Sequence, residues 1–415
     1  MQRILLFLHY PNMERRYFAE NEAIGVMLSL PKPLAMVQSM ALPRKPSNPK
    51  LRNKFRGCLL GGGVGDALGA PVEFLHLEEI EQVYGKQGIR DYAPAYGKIG
   101  AITDDTQMTL FTAEAMLAAE VDSTQVRSGL DFFRAGSDSY QRWLATQEHA
   151  GRPGGPREMS SWLFSQRRLF ARRSPGTTCL SSLEALRGKS GRASNDSKGC
   201  GAVMRSAPVG MYFAHQLRNQ SSRLAAITKT FETARDLASI THGHPTGSLT
   251  AGVFAVVVGM LLVDEPLAEA IDAAKGELHK HIFYKETLYA IERAEKLAKS
   301  RPRERDALRE LGKAFVAEEA LAISLYCALC SEDFAEGILL AVNHSGDSSA
   351  TGSMTGNLLG ATCGLEGIPE KWLKPLELRD VIEAVADDLA AYPEWRLTAA
   401  EDAAEREFYR KRYPI

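Results

Sequence analysis

The chain has 415 residues, of which 45% are hydrophobic, enough for one large domain or two ordinary ones with a substantial core. Its 50 Lys and Arg residues nearly balance its 51 Asp and Glu residues, and the net charge of -1 gives no global attraction to nucleic acid or to a membrane. Six cysteines in a chain of this size fit a reducing compartment rather than a disulfide framework, so we expect a cytoplasmic protein.

The first 50 residues differ from the rest in their pattern of apolar, basic and proline residues. They mix short apolar runs with internal methionines, and residues 44–56 form a basic, proline-rich stretch that predicts a solvated linker. Three interpretations of this N-terminal extension stay open: an upstream start with the working protein beginning near Met40, an arm that contacts a partner, or an ordinary ordered element. We therefore divide the chain into an extension over residues 1–50 and one domain over residues 51–415.

From Phe55 onward the spacing of apolar residues is helical, and no run of alternating β-branched residues indicates a strand. The spacing predicts helices over residues 108–119, 223–239, 267–279, 286–299, 306–329 and 376–391. The most apolar run, residues 249–263, contains two glycines and is too short for a clear membrane span, so it predicts a buried core helix. The fold class predicted is all-α.

The segment 55–74 is dense in glycine and contains two carboxylates, Asp66 and Glu73. No strand precedes it, which argues against a dinucleotide-binding turn and favours a helix packed tightly through small residues. A carboxylate buried on such a face is costly unless it has a partner or a cation. Asp66 and Glu73 would share a helical face only if the helix continued past Pro71.

Two oxygen-rich clusters stand about 240 residues apart in the sequence. The first is Thr103-Asp104-Asp105-Thr106 and the second runs from Asn343 to Ser349. One Thr or Asp is sufficient to cap a helix, whereas adjacent aspartates beside hydroxyls suit a hard cation such as Mg²⁺. The sequence therefore predicts that the two clusters face one another across one pocket.

Three further motifs are weaker. Residues 194–205 form a polar, glycine-rich loop whose N–H groups can cradle a phosphate, although a plain loop is the default. His242 and His244 do not share a helical face, so a zinc pair is not predicted, and His242 is either a pocket-lining or a satisfied structural residue. Cys327 and Cys330 lie in or beside an apolar run and are predicted to be buried.

Taken together and in order, these motifs resemble the ADP-ribosylglycohydrolase family over roughly residues 53–395. The resemblance rests on residues 56–69 with Glu73, 103–106, 195–205 with Pro208, 241–242, 317–321 and 344–360. It implies a compact orthogonal helical bundle of the ADP-ribosylglycohydrolase type. It also implies metal-dependent hydrolysis of the bond between ADP-ribose and a modified protein side chain, arginine above all, or of an ADP-ribose derivative.

The resemblance assigns roles by position. It implies two Mg²⁺ or Mn²⁺ ions, held by Thr103, Asp104, Asp105 and Asp347, and a catalytic role in activating or positioning water for Glu73 and Asp105. It places the substrate against Asn195, Ser197, Gly199, Cys200, Gly201, Met204 and His242. We expect the backbone donors of residues 199–201 to orient the phosphates.

One departure from the family pattern concerns the second cluster. Relatives usually read Gly-Asp-x-Asp-Ser/Thr, whereas this chain has Ser349 at the second aspartate and Ala350 at the hydroxyl. Because a neutral hydroxyl is a weaker ligand than a carboxylate, we expect one of the two cation sites to be weak or lost.

Two other functions stay open. The departure at Ser349 and the N-terminal extension both fit a catalytically weakened immunity or binding protein that neutralises an ADP-ribosylating toxin through residues 1–50. The weaker option is hydrolysis of a small metabolite.

Overall fold

The computed structural model describes residues 46–123, 129–152, 159–398 and 402–415. Within these ranges the chain is built from α-helices and short 3-10 turns, and its β-type pairings are two isolated bridges, Ala95 with Lys98 and Gly199 with Val316. The prediction of an all-α fold is confirmed. The N-terminal extension up to residue 45, with its three interpretations, lies outside the described residues.

The described ranges hold 17 α-helices. In chain order they are α1 (Pro49–Gly69), α2 (Leu77–Tyr84), α3 (Asp104–Ser123), α4 (Phe132–Glu148), α5 (Thr177–Ala185), α6 (Ala207–Leu217), α7 (Arg223–Ser239), α8 (Pro245–Leu262), α9 (Leu267–Leu278), α10 (Lys285–Ser300), α11 (Arg305–Leu311), α12 (Ala317–Cys330), α13 (Phe334–Val342), α14 (Ser348–Cys363), α15 (Glu370–Leu373), α16 (Arg379–Ala391) and α17 (Ala403–Arg412).

Most predicted helices occur close to their predicted bounds, but the one predicted over residues 306–329 is two helices. Gly312 and Ala314 adopt φ angles of 122° and 62°, which ends α11 and lets the chain turn before α12. The apolar spacing continues on both sides of this turn, so periodicity alone could not locate it. The turn exposes the Lys313 carbonyl, which accepts the Asp347 N–H at 2.9 Å.

The prediction of a solvated linker is wrong from Pro49 onward, where α1 begins. The Asn48 side chain caps the helix by accepting the Leu51 N–H at 3.1 Å. Arg52 and Arg56 both bind the Asp387 carboxylate of α16, each with one bond of 2.7 Å. These basic residues therefore belong to the folded domain, and their partner lies more than 300 residues away in the sequence.

Helix α1 crosses α14 in an antiparallel sense through glycines on both helices. A Cβ atom on Gly65 would lie 1.9 Å from the Gly352 carbonyl oxygen, and one on Gly356 would lie 2.0 Å from that of Gly61. Backbones at this separation leave no room for any side chain. The predicted tight packing is confirmed, and it brings the end of α1 beside the start of α14.

Helix α8 lies in the core, as predicted. It is long and apolar enough to cross a membrane, but 94% of it is buried inside the protein. Cys327 and Cys330 are also buried, and both are free thiols.

Candidate functional site

Carboxylates from three parts of the chain meet beside the crossing of α1 and α14. Asp66 lies in the last turn of α1, Asp104 and Asp105 begin α3, and Asp347 precedes α14. All four are buried. Burial first, and then the charges of Asp66 and Asp347, raise the pKa of both Asp104 and Asp105. The structure thus brings the two acidic clusters together.

Asp66 holds the start of α3 in place. Its carboxylate accepts hydrogen bonds from the backbone N–H and the hydroxyl of both Thr103 and Thr106, with N–H distances of 3.0 to 3.1 Å. Burial raises the pKa of Asp66 to about 6 although these bonds lower it. The sequence predicts that a carboxylate buried in α1 needs a partner, and Asp66 finds its partners at the start of α3. Asp66 therefore caps α3 from a neighbouring helix.

Asp104 and Asp105 are only partly satisfied by the protein. Asp104 Oδ2 accepts the Gly176 N–H at 3.1 Å, and Asp105 Oδ2 lies 2.8 Å from the Thr103 hydroxyl. Asp105 Oδ1 is buried without a hydrogen-bond partner. Burial, followed by the neighbouring carboxylates, holds the pKa of Asp105 well above its usual range. An unpaired buried oxygen among like charges is the environment that a cation stabilises.

Asp347 is held on both sides of its carboxylate. Oδ1 caps α14 by accepting the Ala350 N–H at 3.1 Å and lies 3.2 Å from the Ser349 hydroxyl, while the Cys200 thiol donates to Oδ2 at 3.1 Å. Burial raises the pKa of Asp347. The fully buried Ser349 therefore places a neutral donor, and no second carboxylate, beside Asp347.

Glu73 follows a 3-10 turn over Ala70–Val72, so it is not on one continuous helix with Asp66. Burial first, and the charge of Asp347 second, raise the pKa of Glu73 to about 9, while a hydrogen bond from Ser174 opposes the shift. With the carboxylates of the cluster free of a cation, this pKa keeps Glu73 protonated at neutral pH, and a protonated carboxyl can act as an acid. Ser174 was not singled out from the sequence.

A divalent cation fits the donor chemistry of this cluster. Thr103, Asp104, Asp105 and Asp347 offer hard oxygen atoms, and Asp105 Oδ1 has no other partner. In the described ranges, no three His, Cys, Asp or Glu side chains form a ready-made metal site. The fit therefore rests on the donor types, the burial and the repulsion among the carboxylates.

The loop over residues 195–201 is fixed by its own side chains. The Asn195 amide oxygen accepts from the N–H groups of Ser197 and Gly243 at 3.0 and 3.1 Å, and its nitrogen donates to the Ser182 hydroxyl and the Thr241 carbonyl, both at 2.9 Å. Both ends of this side chain are occupied. Asn195, predicted to bind substrate, is placed to shape the loop.

Two backbone donors expected to cradle phosphates already have partners. The Gly199 N–H donates to the Ser197 hydroxyl at 3.3 Å, and the Cys200 N–H donates to the Phe315 carbonyl at 3.2 Å. Donation to a phosphate would require these bonds to break. The ammonium group of Lys198 binds both Glu286 and Glu318, so its charge is largely neutralised.

His242 packs against this loop. Its Nδ1 lies 2.8 Å from the Thr241 hydroxyl, and a Cβ atom added at Gly201 or Gly199 would lie 3.3 Å from its ring. Burial, with the nearby Arg205 guanidinium, lowers the pKa of His242 to about 3, so the ring is neutral. His242 is thus both a satisfied residue and part of the loop wall.

Met204 and Arg205, at the end of the motif over residues 194–205, have structural roles. The Met204 side chain is buried in the core, so the structure does not place it at the surface of the loop. Arg205, also buried, donates to the Gly201 carbonyl at 3.0 Å and to the Thr241 hydroxyl at 2.8 Å. Arg205 belonged to the recognised motif, but its role in anchoring the loop appears only in the folded chain.

Similarity to known proteins identifies the family of this chain. A sequence model of the ADP-ribosylglycohydrolase family matches residues 47–398. The chain belongs to this family. The resemblance predicted over residues 53–395 is confirmed, and this ADP-ribosylglycohydrolase is a hydrolase that acts on glycosyl bonds. Its family acts on ADP-ribosylated proteins.

Several relatives cover most of this ADP-ribosylglycohydrolase. An uncharacterised protein of Archaeoglobus fulgidus is 30% identical over 82% of this chain and 96% of its own. The ADP-ribosyl-[dinitrogen reductase] glycohydrolase of Rhodospirillum rubrum is 24% identical over 80% and 93%, respectively. The ADP-ribosylarginine hydrolase Tri1 of Serratia proteamaculans is 24% identical over 81% and 79%.

A solved structure described as an ADP-ribosylglycohydrolase-related protein complex aligns with a TM-score of 0.58. It is 26% identical and covers 83% of this chain and 98% of its own. The predicted fold type is therefore confirmed.

Proposed function

We propose that this enzyme uses a divalent cation to remove ADP-ribose from arginine side chains of modified proteins. Relatives named as an ADP-ribosylarginine hydrolase and as an ADP-ribosyl-[dinitrogen reductase] glycohydrolase support the substrate class. The observation that carries the proposal is the buried cluster of Asp104, Asp105 and Asp347, in which Asp105 Oδ1 has no partner.

Thr103, Asp104, Asp105 and Asp347 would hold the cation. When bound, it would supply a Lewis acid that lowers the pKa of water and orients a ribose hydroxyl. Since the hydroxyl of Ser349 replaces a carboxylate, we propose one firm cation site, with Mg²⁺ or Mn²⁺ as occupant, and a second that is weak or lost.

The remaining catalytic roles would be carried out by carboxylates of this chain. Burial is the largest cause of the raised pKa of Glu73 and acts with or without a cation, which suits Glu73 to protonate the leaving guanidine nitrogen, in place of the water-activating role expected from the sequence. Asp105, one of the residues that would hold the cation, would also position the attacking water, which is the role expected for it from the sequence. The negative charge of the cluster stabilises the oxocarbenium-like transition state.

The loop over residues 195–201 and His242 would hold the ADP-ribose diphosphate. If Nδ1 of the neutral His242 accepts from the Thr241 hydroxyl, the ring hydrogen is on Nε2, near Gly199. From there it can donate to a phosphate oxygen. This arrangement does not need the Gly199 and Cys200 N–H groups, which bind within the protein.

The test is hydrolysis of an ADP-ribosyl-arginine peptide by the full chain, with Mg²⁺ or Mn²⁺ and with a chelator. We expect Asp104→Asn to lower kcat/KM by more than about 100-fold, because loss of residues that merely support metal ligands already costs about 10- to 100-fold. The matched control is Asp272→Asn, whose side chain is 70% exposed on α9. Equal activity of wild type and Asp104→Asn, or full activity with chelator, would refute the metal-dependent mechanism.

The alternative function, as a binding protein against a toxin, is not favoured, because the characterised relatives named above are hydrolases. Hydrolysis of free ADP-ribose derivatives is a different activity from removal of ADP-ribose from protein arginine. Assays of O-linked and free ADP-ribose compounds beside the arginine peptide distinguish the two. Preference for a free compound would replace the protein substrate.

A further inference from the structure

Two aromatic side chains from distant parts of the chain lie side by side and are exposed to solvent. Phe74 is 56% exposed and Phe315 is 47% exposed, and their ring centroids lie 6.0 Å apart. Single exposed apolar residues are normal on a protein surface, whereas adjacent rings form an apolar patch that a ligand can cover. We call Phe74 and Phe315 the aromatic pair.

Backbone hydrogen bonds connect the aromatic pair to the carboxylate cluster. The Phe74 N–H donates to the carbonyl of Gly346, the residue before Asp347, at 2.8 Å. The Phe315 carbonyl accepts the Cys200 N–H at 3.2 Å. The Cys200 thiol in turn donates to the Asp347 carboxylate at 3.1 Å. Both rings are therefore carried by segments that are bound to the surroundings of Asp347.

The backbone around Glu73 adopts angles that side chains disfavour. Phe74, Tyr96 and Ser174 have φ angles of 66°, 50° and 47°, in the left-handed region that favours glycine. The Tyr96 hydroxyl lies 2.7 Å from the Ser174 hydroxyl, and Ser174 hydrogen-bonds Glu73. Such angles persist only where the surrounding structure imposes them, and they are concentrated at binding and catalytic sites. The fold thus holds the Phe74 ring at the surface, directly after Glu73, at a cost in backbone energy.

The chemistry of the substrate indicates which group would face this pair, and this step rests on the proposed function. In an ADP-ribosylated arginine, a guanidine nitrogen is bonded to the carbon that reacts, whereas the adenine lies beyond the ribose and the diphosphate. Because Glu73 would protonate that nitrogen, the substrate group nearest to Phe74 is the guanidinium. A planar cation stacks on aromatic faces, and the neighbouring carboxylates favour a cation over a neutral base.

We propose that the aromatic pair binds the guanidinium and the apolar stem of the ADP-ribosylated arginine, and so selects arginine over other modified side chains. Within the ranges that the structure describes, cationic side chains stack on other rings, as Arg205 does on Tyr140, and none stacks on Phe74 or Phe315. The faces of the pair are therefore not occupied by a cation of the protein's own.

The experiment compares Phe74→Leu, Phe315→Leu and the double variant with wild type, all as full chains with a divalent cation. Leucine keeps an apolar side chain and a similar backbone strain but removes the ring face. We expect kcat/KM for an ADP-ribosyl-arginine peptide to fall about 3- to 10-fold in each single variant, through a higher KM. The inhibition constant of free ADP-ribose, which has no guanidinium, should change by less than about twofold.

Two kinds of control variant accompany these measurements. Phe74→Tyr and Phe315→Tyr keep an aromatic face and should retain the kcat/KM of wild type. Tyr289→Leu removes an aromatic ring that is 64% exposed on α10 and should leave both constants unchanged. Thermal unfolding checks that each variant is folded.

Equal losses for the peptide and for ADP-ribose would overturn the proposal, because they would place the rings against ADP-ribose itself. An unchanged kcat/KM in the double variant would also overturn it. Failure of the proposed function is a different result, namely no turnover of the arginine peptide by wild type. In that case calorimetric titration with the peptide and with ADP-ribose still tests the inference. The peptide should bind wild type more tightly than ADP-ribose does, and the double variant should lose this preference; equal affinities in wild type would overturn the proposal.

Discussion

At the scale of single residues, Ser349 sets the character of the second acidic cluster. Ser349 is fully buried and lies 3.2 Å from Asp347 Oδ1, so its hydroxyl supports one carboxylate without adding a second. The Cys200 thiol lies 3.1 Å from the other oxygen. A neutral shell of this kind carries less negative charge than a second carboxylate would, and this is the basis of the proposal that a second cation site is weak or lost.

We expect Ser349→Asp to tighten divalent-cation binding by at least about tenfold, because it returns a charged ligand to the cluster. Without cation, the variant should be less stable than wild type, since it adds a like charge beside Asp347 in a buried site. Thermal unfolding with increasing Mg²⁺ or Mn²⁺ measures both effects. Ser349→Ala, which removes the hydroxyl without adding charge, is the control. Equal cation affinity in Ser349→Asp and wild type would contradict the assignment.

His215 predicts a pH effect on stability that is independent of the site. It lies between the rings of Phe55 and Tyr392, and its buried Nε2 has no partner. Burial lowers the pKa of His215 from 6.5 to about 4. Because this folded-state pKa lies below the unfolded value, the contribution to stability is fully present above 6.5 and is lost as the pH falls toward 4.

The measurement is the free energy of unfolding in urea for wild type and His215→Gln. Between about pH 7 and about pH 5, wild type should lose about 2 kcal/mol relative to the variant, following about 1.4 kcal/mol per pH unit for one proton. Comparing the two proteins cancels the titration of all other groups. Parallel pH curves for the two proteins would show that His215 titrates normally in the folded state.

At the scale of elements, the α1–α14 pair fixes the geometry of the site. Glycines at four-residue intervals let the two backbones touch, and the crossing runs from Gly57 opposite Gly360 to Gly69 opposite Ser348. Asp66 lies near one end of this contact, and Asp347 and Ser349 lie at the adjacent start of α14. The helix pair therefore sets the distance between the acidic clusters.

Replacing Gly65 by Ala should destabilise the protein by about 3 kcal/mol or more, because the new methyl group would lie 1.9 Å from a backbone oxygen that cannot rotate away. Gly276→Ala, at a helical glycine in α9 with nothing within 4 Å, is the matched control and should stabilise by up to about 1 kcal/mol. Urea unfolding of the three proteins gives the comparison. A Gly65→Ala protein as stable as wild type would show that the helices can separate at little cost.

At the scale of the whole molecule, ion pairs between distant parts of the sequence hold helices of the described domain together. The Arg52 and Arg56 side chains of α1 bind Asp387 of α16, and Arg412 of α17 binds Asp388 at 2.6 Å. The family match begins at residue 47, close to the Asn48 cap of α1. The family match and the first described helix therefore begin at nearly the same residue.

A chain that begins at Met40 should therefore keep the hydrolase activity, and its Tm should lie within about 2 °C of that of the full chain, since a change of 1 kcal/mol shifts Tm by only a few degrees. Activity against the arginine peptide and thermal unfolding are the measurements. Loss of turnover in the shorter chain would give the N-terminal extension a part in the hydrolase itself, and would favour the ordered-element interpretation over an upstream start.

The candidate site was predictable where its signal is local. Paired aspartates between threonines at Asp104 and Asp105, and the Asp347 cap, are short motifs that the sequence displays directly. The contact between Cys200 and Asp347 spans 147 residues and could not be read from either segment alone. The same holds for the Cys200 N–H, whose partner is the Phe315 carbonyl.

The sequence by itself determined the helical class, the core helix α8 and the glycine-lined helix α1, because hydrophobic period and glycine spacing are properties of neighbouring residues. Only the tertiary structure decided that α1 begins at Pro49 inside the predicted linker, that Gly312 breaks a helix, and that Asp66 caps α3 rather than standing free. Each of these depends on a partner far away in the chain or on a backbone angle that apolar spacing does not encode.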